Sequence, residues 1–135
     1  MTCEAFRSHI VDSRFFGSGY TTEEARRVFC DLRRLQRWLE VEVALAHSQA
    51  EMGVIPMEAA QELSKTARLE LLDLEAIKAD RARTGHSLIP LLNAWQQVAS
   101  PGARKYIHYG STTQDIQDTA QTLEIRDILA IVERD

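Results

Sequence analysis

The chain has 135 residues, of which 44% are hydrophobic and 27% are charged, and its formal net charge is -4 at pH 7. This length allows one hydrophobic core of an ordinary globular protein and is too short for a complete two-domain enzyme. The negative charge argues against nucleic acid as a partner, because binding to a phosphate backbone needs clustered, uncompensated Lys and Arg.

The sequence also bears on the compartment. No segment resembles a signal peptide, and no apolar run approaches the roughly 20 residues of a membrane-spanning helix, so we expect no membrane partner. Cys3 and Cys30 have no second pair of cysteines and no His neighbours at metal-ligand spacing. This pattern favours free thiols in a reducing compartment. We therefore predict a cytoplasmic protein with no metal and no cofactor.

The first predicted helix is long. Residues 1–20 have no sustained hydrophobic period and are expected to form an irregular lead-in. Thr21 and Glu24 have the spacing of a capping box, in which hydroxyl and carboxylate each accept a hydrogen bond from an early N–H. Apolar residues then recur at helical spacing as far as Met52, and Gly53 supplies the stop. The pattern predicts one helix of about 30 residues.

Three shorter helices are predicted next. Residues 57–67 and 72–83 each show a helical apolar pattern, and Gly85 ends the second of them. Ser87 is expected to cap a third helix that runs towards Ser100. No stretch of useful length alternates in the β manner, so the chain is predicted to be all-α.

The last helix extends from about Gln114 to Asp135 and is apolar on more than one side. A helix that is apolar all round belongs inside a bundle. No Gly or Pro stop precedes Asp135, so we expect the partner helices to lie outside this sequence.

Three hydroxyl residues, Ser111, Thr112 and Thr113, stand immediately before this helix. A helix N-terminus carries unpaired N–H groups and a partial positive charge, both of which attract anions. The cluster indicates a carboxylate-binding site, and the alternative is an N-terminal cap without a ligand.

Three blocks, in the same order, resemble the adenylosuccinate lyases and their relatives in the fumarase and aspartase superfamily: residues 35–56 (LQRWLEVEVALAHSQAEMGVIP), 84–86 (TGH) and 108–120 (HYGSTTQDIQDTA). The resemblance implies three mainly helical domains, a homotetramer built on a bundle of long helices, and active sites assembled from three subunits. Residues 1–111 would be the N-terminal helical domain, and 112–135 would begin the central bundle.

The reaction implied by the resemblance is a β-elimination in purine nucleotide biosynthesis. A base removes a proton beside a carboxylate of a succinyl substrate, the C–N bond breaks, and fumarate leaves. By resemblance, His86 supports the general acid and His108 contacts the substrate, so both are the predicted catalytic residues. Thr112 and Thr113 match the hydroxyl pair that grips a substrate carboxylate, whereas Asp115 is expected to cap the helix. The predicted substrate-binding residues are Arg14, Tyr20, Ser111, Thr112, Thr113 and Gln114.

Arg14 lies where adenylosuccinate lyases carry an Arg-Tyr pair for the nucleotide phosphate, and a guanidinium suits a phosphate well. Here Phe15 and Phe16 follow the arginine, and the next tyrosine is Tyr20. The alternative is a surface arginine near the terminus.

The family's general acid and its serine base, on a mobile loop, would lie beyond Asp135. General acid-base catalysis contributes about 10² to 10⁴ per group, so we expect this polypeptide alone to be inactive.

Two other functions remain open. The block also resembles the carboxymuconate cycloisomerase branch, which carries Asn where this chain has His86, and that difference favours the C–N lyase. A non-enzymatic module that associates through the apolar last helix is the other alternative.

Overall fold

The computed structural model describes residues 10–134, and the regular elements in this range are all helices with no strand, which confirms the all-α prediction. Its α-helices are α1 (Glu23–Phe29), α2 (Asp31–Glu51), α3 (Met57–Thr66), α4 (Leu74–Thr84), α5 (Ile89–Val98), α6 (Pro101–Arg104) and α7 (Thr113–Arg134). Three short 3₁₀ helices lie at Ile10–Asp12, Gly17–Gly19 and Leu69–Leu71. None of the helices in this range is long and apolar enough to cross a membrane.

The predicted helix of about 30 residues is wrong, because the chain breaks at Cys30. This residue is extended, with φ −69° and ψ 149°. Its Sγ accepts a hydrogen bond from the N–H of Arg33 at 3.4 Å and so caps α2. The apolar pattern continues across the break because both α1 and α2 pack against α7.

The predicted capping box is also wrong, because the cap of α1 is one residue later. The hydroxyl of Thr22 accepts from the N–H of Ala25 at 3.2 Å, and the hydroxyl of Thr21 donates to a carbonyl. The carboxylate of Glu24 does not reach back to the backbone. It pairs with Arg134 of α7 at 2.6 Å, so a tertiary contact replaces the local one.

The α4–α5 connection confirms one prediction and corrects another. Gly85 ends α4 in the left-handed conformation, with φ +70°. Ser87 does not cap α5. The N–H groups of Leu88 and Ile89 instead donate to Nδ1 of His86, both at 3.2 Å.

The core lies where α2, α3 and α5 meet. Trp95 is fully buried at its centre, and its Nε1–H donates to the hydroxyl of Thr66 at 3.0 Å, which satisfies the indole's one donor. Its largest fully buried side chains, besides Trp95, are those of Leu39, Leu63, Leu88, Leu91, Ile116 and Pro90.

Ion pairs join α7 to α2. Arg34 donates two hydrogen bonds, of 3.1 and 3.2 Å, to the buried carboxylate of Glu124. The buried Arg37 pairs with Asp127. The first turns of α7 bury Ile116 in the core. Its last three turns are not buried all round as predicted, and their apolar side chains Ile125, Leu129 and Val132 are exposed in this chain.

Candidate functional site

Residues at the start of α7 form hydrogen bonds with one another. The N–H of Thr112 donates to Oδ2 of Asp115 at 2.9 Å, and the N–H of Asp115 donates to the carbonyl of Thr112 at 3.1 Å. Asp115 therefore caps the helix, as predicted. The side chain of Gln114 donates to Asp118 along the helix.

The hydroxyls of Thr112 and Thr113 have no hydrogen-bond partner among residues 10–134. The N–H groups of Thr113 and Gln114 lie in the first turn of α7. N–H groups in a first turn have no acceptor within the helix. These donors all belong to residues at one end of α7. They suit an anion such as a carboxylate.

His108 is held by a buried carboxylate of α2. Its Nδ1 lies 2.6 Å from Oε1 of Glu42, and its backbone N–H donates to Oε2 of the same residue at 3.1 Å. The hydroxyl of Ser111 lies 3.1 Å from the same Nδ1. The contacts therefore bring together one predicted catalytic residue and one predicted substrate-binding residue, directly before α7.

The surroundings of Glu42 are electrostatically unusual, because only 3% of the residue is exposed. Burial raises the pKa of the Glu42 carboxyl above its ordinary value, and the hydrogen bonds and the charge of His108 oppose part of that rise. Burial thus disfavours the charged form of Glu42, and the donors of His108 favour it.

The backbone before α7 adopts a rare conformation. His108 has φ +60° and Gly110 has φ +70°. For a residue with a side chain, such a conformation costs about 1 to 3 kcal/mol and persists only where other contacts hold it. Glu42 supplies one such contact, and Gln49 supplies another by donating to the carbonyl of Tyr109 at 2.7 Å.

His86 is held differently. Its Nδ1 accepts both backbone N–H groups at the start of α5, so this nitrogen carries no proton. The neutral ring must then carry its proton on Nε2. The next residue, Ser87, accepts a hydrogen bond from Gln117 of α7 at 2.7 Å. The His86 segment therefore lies against α7 one turn after its start.

The other predicted site residues are not brought to this place. Arg14 and Tyr20 lie on the exposed segment before α1. No hydrogen bond or ion pair within residues 10–134 joins either side chain to α7 or to the histidines.

A cavity of the described chain lies beside these residues rather than on them. It has a volume of about 820 Å³ and lies between α2, α4 and α7. Arg34, Glu124, Ser87 and Gln117 line it, whereas neither histidine does. No group of metal-ligating side chains occurs within residues 10–134.

Sequence reasoning missed Glu42, although the pattern contained a signal. Leu39, Glu42 and Ala46 occupy one face of α2 at helical spacing, and all three are buried. A carboxylate in an apolar stripe must have a buried partner, because an unpaired buried charge is strongly unfavourable. The identity of that partner, His108, depends on a contact 66 positions away in sequence that periodicity does not reveal.

Comparisons with known proteins find relatives that are named as lyases. The chain is 41% identical to N-acetyl-S-(2-succino)cysteine lyase of Dickeya dadantii over 128 residues, which are 95% of this chain and 28% of that protein. It is 38% identical to adenylosuccinate lyase of Methanocaldococcus jannaschii over 130 residues, 96% of this chain and 27% of that protein. No family model matches the chain.

A solved structure supports the fold. Beta-carboxy-cis,cis-muconate cycloisomerase of Acinetobacter calcoaceticus superposes with a TM-score of 0.83 at 33% identity, over 90% of this chain and 29% of that one. The chain thus spans less than a third of the length of each of these relatives.

Proposed function

We propose that this chain, whose homologues are lyases of the fumarase/aspartase superfamily, is the N-terminal part of an enzyme that eliminates fumarate from a succinyl substrate. The names of two relatives support this substrate class. One acts on adenylosuccinate and the other on a succinylated cysteine, so their substrates share the succinyl part and differ in the atom bonded to it.

One observation carries the proposal. A histidine held by a buried carboxylate, His108, stands directly before a helix whose first hydroxyls, on Thr112 and Thr113, have no partner in the described chain. A carboxylate ligand would use them.

The chemistry of β-elimination gives these groups their roles. When a proton leaves the carbon beside a carboxylate, negative charge develops on that carboxylate. Donors already fixed in place stabilise this charge without reorganising. We assign this role to the hydroxyls of Thr112 and Thr113, with Ser111 and Gln114 completing the substrate contact.

The histidines would serve the other end of the substrate. His108 presents a ring whose rotation is fixed, and His86 presents an Nε2–H that can orient the general acid. The acid and the base themselves are assigned to the part of the enzyme outside this chain.

The finer assignment is C–N cleavage of adenylosuccinate in purine nucleotide biosynthesis. In that reaction the exposed Arg14 and Tyr20 would bind the nucleotide phosphate. We further propose a homotetramer for the complete enzyme, with a domain boundary between residues 111 and 112. A cytoplasmic location is also part of the proposal, and Cys30, a free and exposed thiol, is compatible with it.

The direct test is fumarate release, followed by ultraviolet absorbance, from the complete protein that carries this sequence. Adenylosuccinate and N-acetyl-S-(2-succino)cysteine are offered separately. Fumarate from either one supports the succinyl class, and fumarate from adenylosuccinate alone supports the C–N assignment. If neither releases fumarate, the elimination is refuted. The 135-residue chain, assayed in parallel, is expected to show no turnover.

A second candidate function is lactone formation from 3-carboxy-cis,cis-muconate. The superposition on a cycloisomerase favours it. The same carboxylate donors would serve, since that substrate also carries carboxylates. Consumption of 3-carboxy-cis,cis-muconate without fumarate release from either succinyl compound would select this function.

A further inference from the structure

We propose that Glu42 is a positioning residue that holds His108 as the Nδ1–H tautomer, so that Nε2 faces the substrate as a hydrogen-bond acceptor. The assignment of Nε2 to the substrate rests on the function proposed above, whereas the tautomer does not. Among residues 10–134, no atom bonds to Nε2 of His108.

Both oxygens of the Glu42 carboxylate bind the same residue, His108. Oε1 of Glu42 meets the ring at Nδ1 and Oε2 accepts the backbone N–H, at 2.6 and 3.1 Å. Two contacts from one rigid group fix the ring's rotation and the left-handed backbone of His108 together. A single contact would leave the ring free to turn over.

The neighbours of Nδ1 determine which ring nitrogen of His108 carries the proton. Nδ1 lies between two oxygens, Oε1 of Glu42 and Oγ of Ser111. A protonated Nδ1 can donate to both, whereas a bare Nδ1 would face the lone pairs of the ionised carboxylate. The backbone N–H that Oε2 accepts favours the ionised carboxylate, against the burial that raises the pKa of Glu42. His108 is the only titratable partner among the described residues that acts on Glu42.

The contrast with His86 strengthens the assignment. At His86, two backbone N–H groups donate to Nδ1, so the proton is on Nε2. The fold thus holds two histidines in opposite tautomers. His86 offers a donor and His108 offers an acceptor, and neither ring has to change its protonation to do so.

Nuclear magnetic resonance of the ring nitrogens tests this directly. In protein labelled with ¹⁵N at histidine, the resonances are assigned with the H47N, H86N and H108N variants. At pH 7.5 without substrate, we expect a protonated Nδ1 and an unprotonated Nε2 for His108, and the reverse for His86. A protonated Nε2 on neutral His108 would overturn the proposal, whatever any variant does.

Two substitutions then isolate Glu42. In E42A, the ring of His108 should relax to a mixture of both tautomers. In the milder E42Q, one carboxamide cannot accept from both donors, so either the ring tautomer or the backbone amide resonance of His108 must change. E40Q, two positions earlier on α2, removes an ion pair with Arg33 and should leave His108 unaltered.

The outcomes separate this proposal from the proposed function. An unchanged ring and amide in folded E42Q would refute the positioning role, even if the enzyme releases fumarate. If the tautomers are as expected but no fumarate forms, the role of Glu42 stands and the reaction falls. Where both hold, E42Q in the complete enzyme should lower kcat more than it raises KM.

Discussion

Substitution of Thr112 or Thr113 tests whether the start of α7 binds a ligand or only caps the helix. Their hydroxyls have no partner within residues 10–134, so removing them disturbs no described contact. In the complete enzyme, T112V and T113V should each lower kcat/KM by about 10²-fold, the usual effect of deleting one donor to a developing charge. Steady-state kinetics on the substrate that turns over measures this.

Thr119 provides the matched control for that prediction. It lies two turns into α7, and its hydroxyl donates to the carbonyl of Asp115 at 2.7 Å. T119V should keep full activity. If T112V and T113V kept it as well, the start of α7 would be a cap and nothing more.

Gly85 carries a conformational constraint that can be tested by unfolding. Its φ of +70° suits glycine, although a Cβ there would meet nothing within 4 Å. G85A should therefore lower the free energy of unfolding by about 1 kcal/mol through backbone strain alone. G102A, in open space within α6 and without a positive φ, should be neutral or stabilising. Equal effects of the two in urea titrations would contradict this reading.

The contact between α2 and α7 depends on ion pairs at the scale of elements. Arg37 is buried and pairs with Asp127, and its other carboxylate, Glu40, is 3.9 Å away. D127A removes the carboxylate that pairs with the buried guanidinium of Arg37. The free energy of unfolding should fall by about 1 to 3 kcal/mol. D118A, on the exposed side of α7, should change stability by less than about 0.5 kcal/mol. Urea titration of both variants checks the difference.

The same contact predicts a pH dependence. The hydrogen bond from Arg126, followed by that from Arg37, lowers the pKa of Asp127 below its usual value. A lowered pKa in the folded state means that this contribution to stability is present above about pH 4 and is lost as pH falls. The stability difference between wild type and D127N should therefore shrink in acid. A difference that grows in acid would contradict the assigned direction.

The sequence predicted helix ends correctly where a residue at the end itself stops the helix. Gly53 and Gly85 have positive φ values of 72° and 70°, as expected of helix stops. It failed at Cys30, because the apolar period continues through that residue and a thiol is an uncommon cap. It also assigned the cap of α5 to Ser87, although the neighbouring imidazole of His86 accepts those N–H groups.

At the site, the family resemblance supplied the residues proposed to touch a ligand and missed those that hold them in place. His108 and the hydroxyls of Thr112 and Thr113 stood in a contiguous block. Glu42 and Gln49 lie on α2, far away in sequence, and reach that block only through the packing of α2 beneath it. Residues of this kind follow from the fold and not from a local motif.

At the scale of the whole molecule, the last turns of α7 present an apolar face. Ile125, Leu129 and Val132 are spaced for one side of a helix, and each is about half exposed or more, at 48%, 52% and 65%. We expect the 135-residue chain to self-associate through this face as its concentration rises. Sedimentation velocity should show it, and L129Q combined with V132Q should shift the chain towards the monomer. A wild-type monomer at all concentrations would contradict the prediction.

The central claim is that the block before α7 is the substrate site of a lyase. The most direct measurement is fumarate release by the complete protein with His108 intact and as H108A, beside the control H47A, whose ring bonds to Ser64 within the fold. We expect H108A to lose activity by a factor of about 10² or more and H47A to keep it. Full activity in folded H108A would contradict it.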